Sequence, residues 1–309
     1  MILFASGEFE SVASALRDAV PQLSRGQYKA SRFDNGELRI DVETPVKGER
    51  CFVLGSIAPP DTRLTSTLLL GHTLRKEGAL EVSGVLPYLA YSRQDKDKTG
   101  ESLAAVWTGA LMQASGFDRV ITIDVHSAED QRLFPIPLSS FSPSGIFARA
   151  LNQYGLTQAT IIAPDEGAIG RCEAIRAAAG LPKEPVPYFE KRRTEAGIVH
   201  SRFVGEVGAH AVVVDDILDT GATLISACQR LLCAGMEDIR IMVTHGLFTG
   251  NEWRGLWDLA VSRIFCTDTV PLPAGVDKDR IVILSAIPLL AEALTDAAKM
   301  PAAAGSGRI

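Results

Sequence analysis

The chain has 309 residues, 46% of them hydrophobic, and a formal net charge of −6. This length allows two domains with separate cores, and the acidic balance excludes a nucleic-acid surface as the main function while leaving small anionic substrates compatible. No segment is long and apolar enough to cross a membrane, and the five scattered cysteines are typical of reduced thiols, so we expect a cytoplasmic protein without membrane or nucleic-acid partners.

Apolar runs typical of buried strands recur along the chain after a short first strand, and most of them adjoin segments with helical periodicity. The strand-like runs are residues 51–54, 82–87, 119–124, 160–164, 211–214 and 239–243. The helical segments include residues 64–70, 223–233 and 289–294. This alternation predicts an α/β fold built from mainly parallel sheets flanked by helices.

The order of the elements repeats between the two halves of the chain. A strand, a polar turn, a helix, a glycine and a second strand follow one another around residues 51–86 and again around residues 211–243. A duplication into two similar α/β domains explains this better than one long sheet. We place the domains at residues 1–142 and 143–287, and expect a C-terminal helix at about 288–300 to pack back on the first.

Three polar segments of the first half are candidates for a binding site. Residues 32–37 fit a polar hairpin turn, and residues 93–98 by themselves fit a solvated charged loop. Strand 119–124 leads directly to His126, and alternation along a strand predicts that Asp124 and His126 face the same side. A lone histidine is more often structural, but this one follows the carboxyl end of a strand, where α/β sheets bind ligands.

Two shorter segments of the second half also carry polar groups. Asp165 lies in a Pro-Asp-Glu-Gly turn, which an ordinary loop would also use. Lys191, Arg192 and Arg193 follow Tyr188-Phe189-Glu190 and, taken alone, fit a solvated basic loop.

The strand at 211–214 is followed by the most informative segment. Asp215 and Asp216 form an acidic doublet suited to sugar hydroxyls or to a magnesium ion that those hydroxyls share. The turn that follows, Asp219-Thr220-Gly221-Ala222-Thr223, opens a helix whose free N–H groups and hydroxyls suit a phosphate. Helix capping would explain Asp219 or Thr220 but not the doublet. The combination therefore indicates a phosphorylated pentose.

This segment resembles the binding loop of the phosphoribosyl diphosphate (PRPP) family, which includes phosphoribosyltransferases and ribose-phosphate diphosphokinases. Residues 32–37, the Arg-Gln-Asp at 93–95, His126, the turn at 164–167 and the basic segment at 191–193 extend the resemblance to ribose-phosphate diphosphokinases over nearly the whole chain. The resemblance implies a duplicated phosphoribosyltransferase-type fold. It also implies an enzyme that transfers the diphosphoryl group of ATP to the 1-hydroxyl of ribose 5-phosphate, giving PRPP and AMP.

The resemblance also assigns roles to individual residues. It implies a homo-oligomer in which the Phe33 segment of one subunit helps to bind the nucleotide of a neighbouring subunit. Lys191 and Arg193 would act in catalysis, and His126 and Asp165 would bind Mg²⁺. The nucleotide would be held by Phe33, Asn35, Glu37, Arg93, Gln94 and Asp95. Ribose 5-phosphate would be held by Asp215, Asp216, Asp219, Thr220, Gly221, Ala222 and Thr223.

Two departures from the family pattern alter these expectations. Asn35 stands where the family has an aspartate, so the nucleotide contact is expected to be weaker or its base preference changed. Residues 96–102 replace a basic stretch linked to regulation, so we do not expect activation by phosphate. Two alternatives stay open: a catalytically weak or silent homologue that regulates a partner, and a kinase or transferase for another pentose phosphate.

Overall fold

A computed structural model of the chain describes residues 1–96, 98–194, 197–206, 208–276 and 279–300. For residue 128 and the described residues between 191 and 201 it describes the backbone alone. The chain divides into two compact units: Met1–Phe141 together with the chain from Ile287 onward, and Ser142–Ala286. In the part of the chain so described, no helix is long and apolar enough to span a membrane.

The described residues form strands and helices that alternate along the chain. The strands are β1 (Ile2–Ala5), β2 (Ser24–Arg25), β3 (Tyr28–Arg32), β4 (Leu38–Val42), β5 (Arg50–Leu54), β6 (Glu81–Val85), β7 (Arg119–Ile123), β8 (Leu138–Phe141), β9 (Thr160–Ile162), β10 (Tyr188–Thr194), β11 (Gly197–Val204), β12 (His210–Leu218), β13 (Asp238–Gly246), β14 (Val261–Thr267) and β15 (Ile281–Leu284). The helices are α1 (Glu10–Ala19), α2 (Thr62–Lys76), α3 (Ala104–Ala114), α4 (Ala128–Leu133), α5 (Ser144–Gln153), α6 (Ile169–Ala178), α7 (Ala222–Cys233) and α8 (Ile287–Lys299).

The first unit is built on a parallel sheet of six strands in the order β2-β1-β5-β6-β7-β8. Every residue of β6 and β7 is buried, as expected for strands covered on both faces. The chain passes from β1 to β2 on one side and then returns to β5 on the other side of β1. The direction of winding therefore reverses between β1 and β5.

The second unit carries a parallel sheet of five strands in the order β15-β14-β13-β12-β9. Its core lies on both faces: Val213, Ile241 and Ile264 pack with α7, and Val212 and Met242 pack with α5 and α6. Two mainly parallel sheets flanked by helices confirm the predicted fold class.

Two predicted strand ends differ from those observed. Strand β7 ends at Ile123 because Asp124 has a left-handed backbone, with φ at 47°, so the alternation that was to align Asp124 with His126 does not continue past the strand. Strand β12 runs four residues past Val214, through both acids of the doublet to Leu218, because it pairs with the long neighbour β13 over that distance. The prediction that Asp124 and His126 face the same side assumed that the strand continues past Ile123, and this strand end was wrong.

A buried ion-pair cluster fastens the C-terminal helix to the first unit, in which α8 packs against α1. Glu81, which is 1% exposed, accepts from Arg50 at 2.9 Å and lies 2.8 Å from Arg119 Nε. Arg50 also donates to the carbonyl oxygens of Ala298 and Met300, both at 2.8 Å. These bonds satisfy carbonyl groups that the end of a helix leaves without partners.

Replacing Glu81 with alanine is expected to lower the free energy of unfolding by about 3–5 kcal/mol, because two guanidinium groups would be left buried without their counter-charge. Urea unfolding of the full chain measures this. Glu77→Ala is the control, since the Glu77–Lys76 pair is exposed and such pairs contribute about 0–1 kcal/mol. Equal losses in the two variants would show that the buried cluster does not stabilise the unit.

Candidate active site

The acidic doublet lies inside strand β12, near its carboxyl end. Asp215 pairs in register with Val243 of β13, and the N–H of Asp216 donates to the Asp215 carboxylate at 2.9 Å. Asp216 is 8% exposed and lies 4.0 Å from the guanidinium of Arg171 on α6. Arg171 was not predicted, since nothing in its sequence surroundings marks it, and the fold alone brings it to the doublet.

Electrostatic repulsion is concentrated at Asp215. Burial raises the pKa of its carboxyl well above the usual range, and the nearby charges of Asp216 and Asp165 raise it further. Arg171 acts in the opposite direction but does not outweigh these effects. At Asp215, Arg171 therefore offsets only part of the negative charge that Asp165 and Asp216 contribute.

This excess charge suits a divalent cation. In the part of the second unit that the structure describes, Asp165, Asp215 and Asp216 supply oxygen atoms, the ligand type that Mg²⁺ prefers. Among the described residues, no three His, Cys, Asp or Glu side chains are grouped closely enough to hold a metal by themselves. Magnesium usually keeps several waters and takes further oxygen atoms from a substrate, so one or two carboxylates of the protein are sufficient.

Removing the charge at Asp215 is expected to stabilise the fold. A raised pKa means that the folded chain binds a proton more tightly than the unfolded chain, so stability falls as pH rises above the ordinary Asp pKa of about 4. Without metal at pH 8, Asp215→Asn should therefore unfold with a free energy about 1 kcal/mol or more above wild type. The difference should shrink toward pH 4.

Urea unfolding in EDTA at several pH values measures this difference. Asp258→Asn, a change at an exposed site of the same unit, is the control and should shift stability by less than about 0.5 kcal/mol. Added Mg²⁺ should stabilise wild type more than Asp215→Asn. A variant less stable than wild type at pH 8 would contradict the repulsion at this site.

The turn after β12 presents free backbone donors. Gly221 precedes α7 with φ at 87°, a left-handed conformation that glycine adopts without strain. The first intrahelical bond runs from the N–H of Ile225 to the carbonyl of Gly221, so the N–H groups of Ala222, Thr223 and Leu224 have no partner within the helix. The helix dipole adds positive potential at the same end. This geometry binds anions.

A second segment, residues 247–253, holds the turn in place. The N–H of Phe248 donates to the Leu218 carbonyl at 3.0 Å, and the N–H of Thr249 donates to the Asp219 carbonyl at 3.2 Å. Trp253, 1% exposed, packs so closely that a Cβ on Gly221 would lie 2.9 Å from its Cα. The sequence analysis did not predict a role for Trp253. The available signal was a tryptophan a few residues after the end of β13, the strand next to β12.

The predicted nucleotide residues near the start of the chain lie on a hairpin outside the main sheet. Strands β3 and β4 pair antiparallel with each other, and Phe33 at the tip is 51% exposed. The Asn35 side chain accepts from the N–H of Glu37 at 3.1 Å, a local turn bond. The hairpin thus has the polar turn that its sequence predicted, and it presents an aromatic ring to solvent.

The other predicted nucleotide residues follow β6. Arg93 and Gln94 are exposed, and the Gln94 amide oxygen accepts from the hydroxyl of Ser102. Asp95 is 6% exposed. Burial of Asp130 raises the pKa of its carboxyl to about 6, and the nearby charge of Asp95 contributes to the increase. His126, just beyond β7, is exposed and near enough to Asp130 to lower that pKa in part. The structure thus brings Asp95 and His126 to the same place, beside Asp130.

The basic segment at 191–193 forms a strand, where we expected a loop. Strands β10 and β11 pair antiparallel, with a register shift between Glu190 and Lys191. The hairpin is anchored because Phe189 is fully buried and packs on Phe203, their ring centroids 4.9 Å apart. The side chains of Lys191 and Arg193 lie outside the described part of the structure, so their catalytic role stays a prediction. The predicted metal residues, His126 and Asp165, belong to different units.

Comparisons with known proteins agree on one family. Residues 1–116 match the N-terminal domain of ribose phosphate pyrophosphokinase, and residues 132–277 match the phosphoribosyl transferase domain. The chain is 32% identical to a ribose-phosphate pyrophosphokinase of Caldanaerobacter subterraneus over 88% of this chain and 87% of that protein. It is 29% identical to a ribose-phosphate pyrophosphokinase of Bacillus caldolyticus over 95% of this chain and 93% of that protein.

A solved structure shows the same fold. The chain superposes on the phosphoribosylpyrophosphate synthetase of Mycobacterium smegmatis with a TM-score of 0.85, covering 96% of this chain and 98% of that one at 24% sequence identity.

Proposed function

The chain belongs to the ribose-phosphate pyrophosphokinase family of enzymes, and we propose that it transfers the diphosphoryl group of ATP to the 1-hydroxyl of ribose 5-phosphate. The products are PRPP and AMP. The observation that carries the proposal within the molecule is the continuity of the acidic doublet with the anion-binding turn. Both lie at the carboxyl end of β12, within nine residues of each other.

The second unit supplies the acceptor side of the reaction. Asp215 and Asp216 accept hydrogen bonds from the ribose hydroxyls, and the N–H groups of residues 222–224 donate to the 5-phosphate. Residues 219–221 set the position of those donors. Because the turn is braced by residues 247–253, the sugar phosphate is held at a fixed place relative to Asp215 and Asp216.

The reaction itself needs no protein nucleophile. The 1-hydroxyl of the sugar attacks the β-phosphorus of ATP and releases its proton to solvent. The bond from that phosphorus to the oxygen it shares with the α-phosphate breaks, and AMP leaves with that oxygen. Lys191 and Arg193 offset the negative charge that develops on the transferred group. By resemblance, His126 of the first unit and Asp165 of the second stay the predicted Mg²⁺ ligands, and the ion would supply charge neutralisation on the ATP phosphates. Positioning and charge neutralisation supply the rate enhancement.

The nucleotide is assigned to residues of the first unit. Arg93 can donate two hydrogen bonds to phosphate oxygens, and Gln94 can bond the base or ribose through its amide. The exposed ring of Phe33 on the β3–β4 hairpin suits stacking on the base of a neighbour's nucleotide. This arrangement requires at least a dimer, so we also propose a homo-oligomer.

We also propose that the enzyme works in the cytoplasm. The five cysteines are free, and four of them are buried. Burial raises the pKa of Cys51, Cys172, Cys228 and Cys266 to about 12, which keeps them as unreactive thiols. These features fit a reducing compartment.

One assay tests the reaction. The full chain is incubated with ATP, MgCl₂ and ribose 5-phosphate, and the products are followed by phosphorus NMR. PRPP and AMP are the expected products. Absence of turnover would favour a silent homologue that regulates a partner, and a different phosphorylated product would favour a kinase or transferase for another pentose phosphate; either outcome would overturn the proposal.

A further inference from the structure

A crevice lies at the carboxyl ends of β1 and β5, where the winding of the first unit reverses. In open α/β sheets the loops diverge at such a reversal and leave a space that commonly binds ligands. Here the space is a cavity of about 350 Å³, lined by the turns after the two strands, the start of α2 and the base of the β3–β4 hairpin. Of the nucleotide residues proposed above, Arg93, Gln94 and Asp95 follow β6, and Phe33, Asn35 and Glu37 lie at the far end of the hairpin. None of them lines this crevice, which is therefore a separate place.

The wall of the crevice is positively charged. Its charged residues are Arg32, Arg63 and Glu8, and Arg63 lies 2.8 Å from Glu8. Arg32 donates to the Gly36 carbonyl oxygen, and no carboxylate among the described residues pairs with it. The amino end of α2, a helix of 15 residues, opens on the same space and adds the positive end of its dipole. One positive charge therefore stays without a counter-charge.

A hydroxyl group on the floor also lacks a partner. The Oγ of Ser6, just after β1, is buried and makes no hydrogen bond to any described residue. Gly55 beyond β5 lies beside it, since a Cβ at Gly55 would stand 3.7 Å from that oxygen. A buried hydroxyl without a partner is costly, so it points to a ligand that bonds it. Tyr28 and Leu70 add apolar surface to a wall that also carries the hydroxyl residues Ser56, Thr62, Ser66 and Thr67.

We propose that this crevice binds a phosphate monoester. Its phosphate lies against Ser6, Arg32, Arg63 and the amino end of α2, and its organic part lies against Tyr28 and Leu70. Arginine pairs and helix amino ends both favour phosphate oxygens. The apolar surface of Tyr28 and Leu70 favours an ester over inorganic phosphate.

Crystals of the full chain soaked in phenyl phosphate, without nucleotide or sugar, test the proposal directly. Density is expected in the crevice with the ring beside Tyr28. Calorimetric titration should show phenyl phosphate binding about fivefold or more tighter than inorganic phosphate, because only the ester buries an apolar group. Density at the 219–223 turn alone would overturn the proposal, as would equal affinity for both compounds at the crevice.

Two variants and a matched control locate the binding energy. Arg63→Gln should weaken the binding of phenyl phosphate at the crevice about tenfold. Ser6→Ala should weaken it about threefold, and this variant serves as the test if Arg63→Gln fails to fold, because it removes only one hydroxyl group. Arg17→Gln makes the same charge change on α1, away from the cavity, and should bind as wild type. Occupancy at the 219–223 turn is the internal reference. Unchanged occupancy of the crevice in both variants would refute the assignment.

Discussion

Replacing Lys191 with alanine is expected to lower the turnover number about a thousandfold, with a much smaller change in the KM for ribose 5-phosphate. The transferred diphosphoryl group gains negative charge in the transition state, and a cation that meets it there acts mainly on the turnover number. The backbone places Lys191 directly after a register shift in β10, and such irregularities are common beside active sites because they redirect the strand.

Steady-state rates of PRPP formation measure the effect of Lys191→Ala. Lys183→Ala is the control, because it removes an exposed lysine of the same unit ahead of the hairpin and should leave turnover unchanged. Turnover within about threefold of wild type would correspond to under about 1 kcal/mol of transition-state stabilisation and would show that Lys191 is not the catalytic cation. Arg193→Ala should reduce turnover in the same way.

Gly221→Ala is expected to lower kcat/KM for ribose 5-phosphate about a hundredfold and to destabilise the second unit. The added Cβ would lie 2.9 Å from Trp253 Cα and 3.0 Å from its Cβ, so backbone on one side or the other must move. A displacement of about 1 Å in the turn would misplace the donors of residues 222–224, and misplacement of that size costs about a hundredfold in rate.

Gly235 supplies a matched control at the other end of α7. Its φ is 88°, against 87° at Gly221, but a Cβ added there would meet no atom within 4 Å. Gly235→Ala therefore carries the backbone strain of about 1 kcal/mol without the collision, and activity should be kept. Kinetics and urea unfolding of both variants separate the two effects. Equal losses of activity would show that strain, rather than the contact with Trp253, governs the turn.

Much of the fold was predictable because buried parallel strands leave a local signal. Each apolar run predicted as a strand lies in one of the two parallel sheets, and the helix predicted at 223–233 matches α7 within one residue. Strands β14 and β15 and the β10–β11 hairpin were not predicted, and of the β3–β4 hairpin only the turn was. Charged residues interrupt the pattern in β14 and in β10, as Lys191 to Arg193 do, and pairing with a neighbouring strand decided their structure. Strand β15 is a run of four apolar residues, so its local signal was present and was missed.

By itself the sequence determined the family, the α/β class and the doublet with its phosphate turn, because these depend on residue types at short spacing. Only the tertiary structure decided which partners surround them. Arg171, Trp253 and Asp130 act through contacts that distant segments bring together, and no local pattern encodes such contacts. The raised pKa of Asp215 has the same origin, since burial and the charge of Asp165 exist only once the sheet has formed.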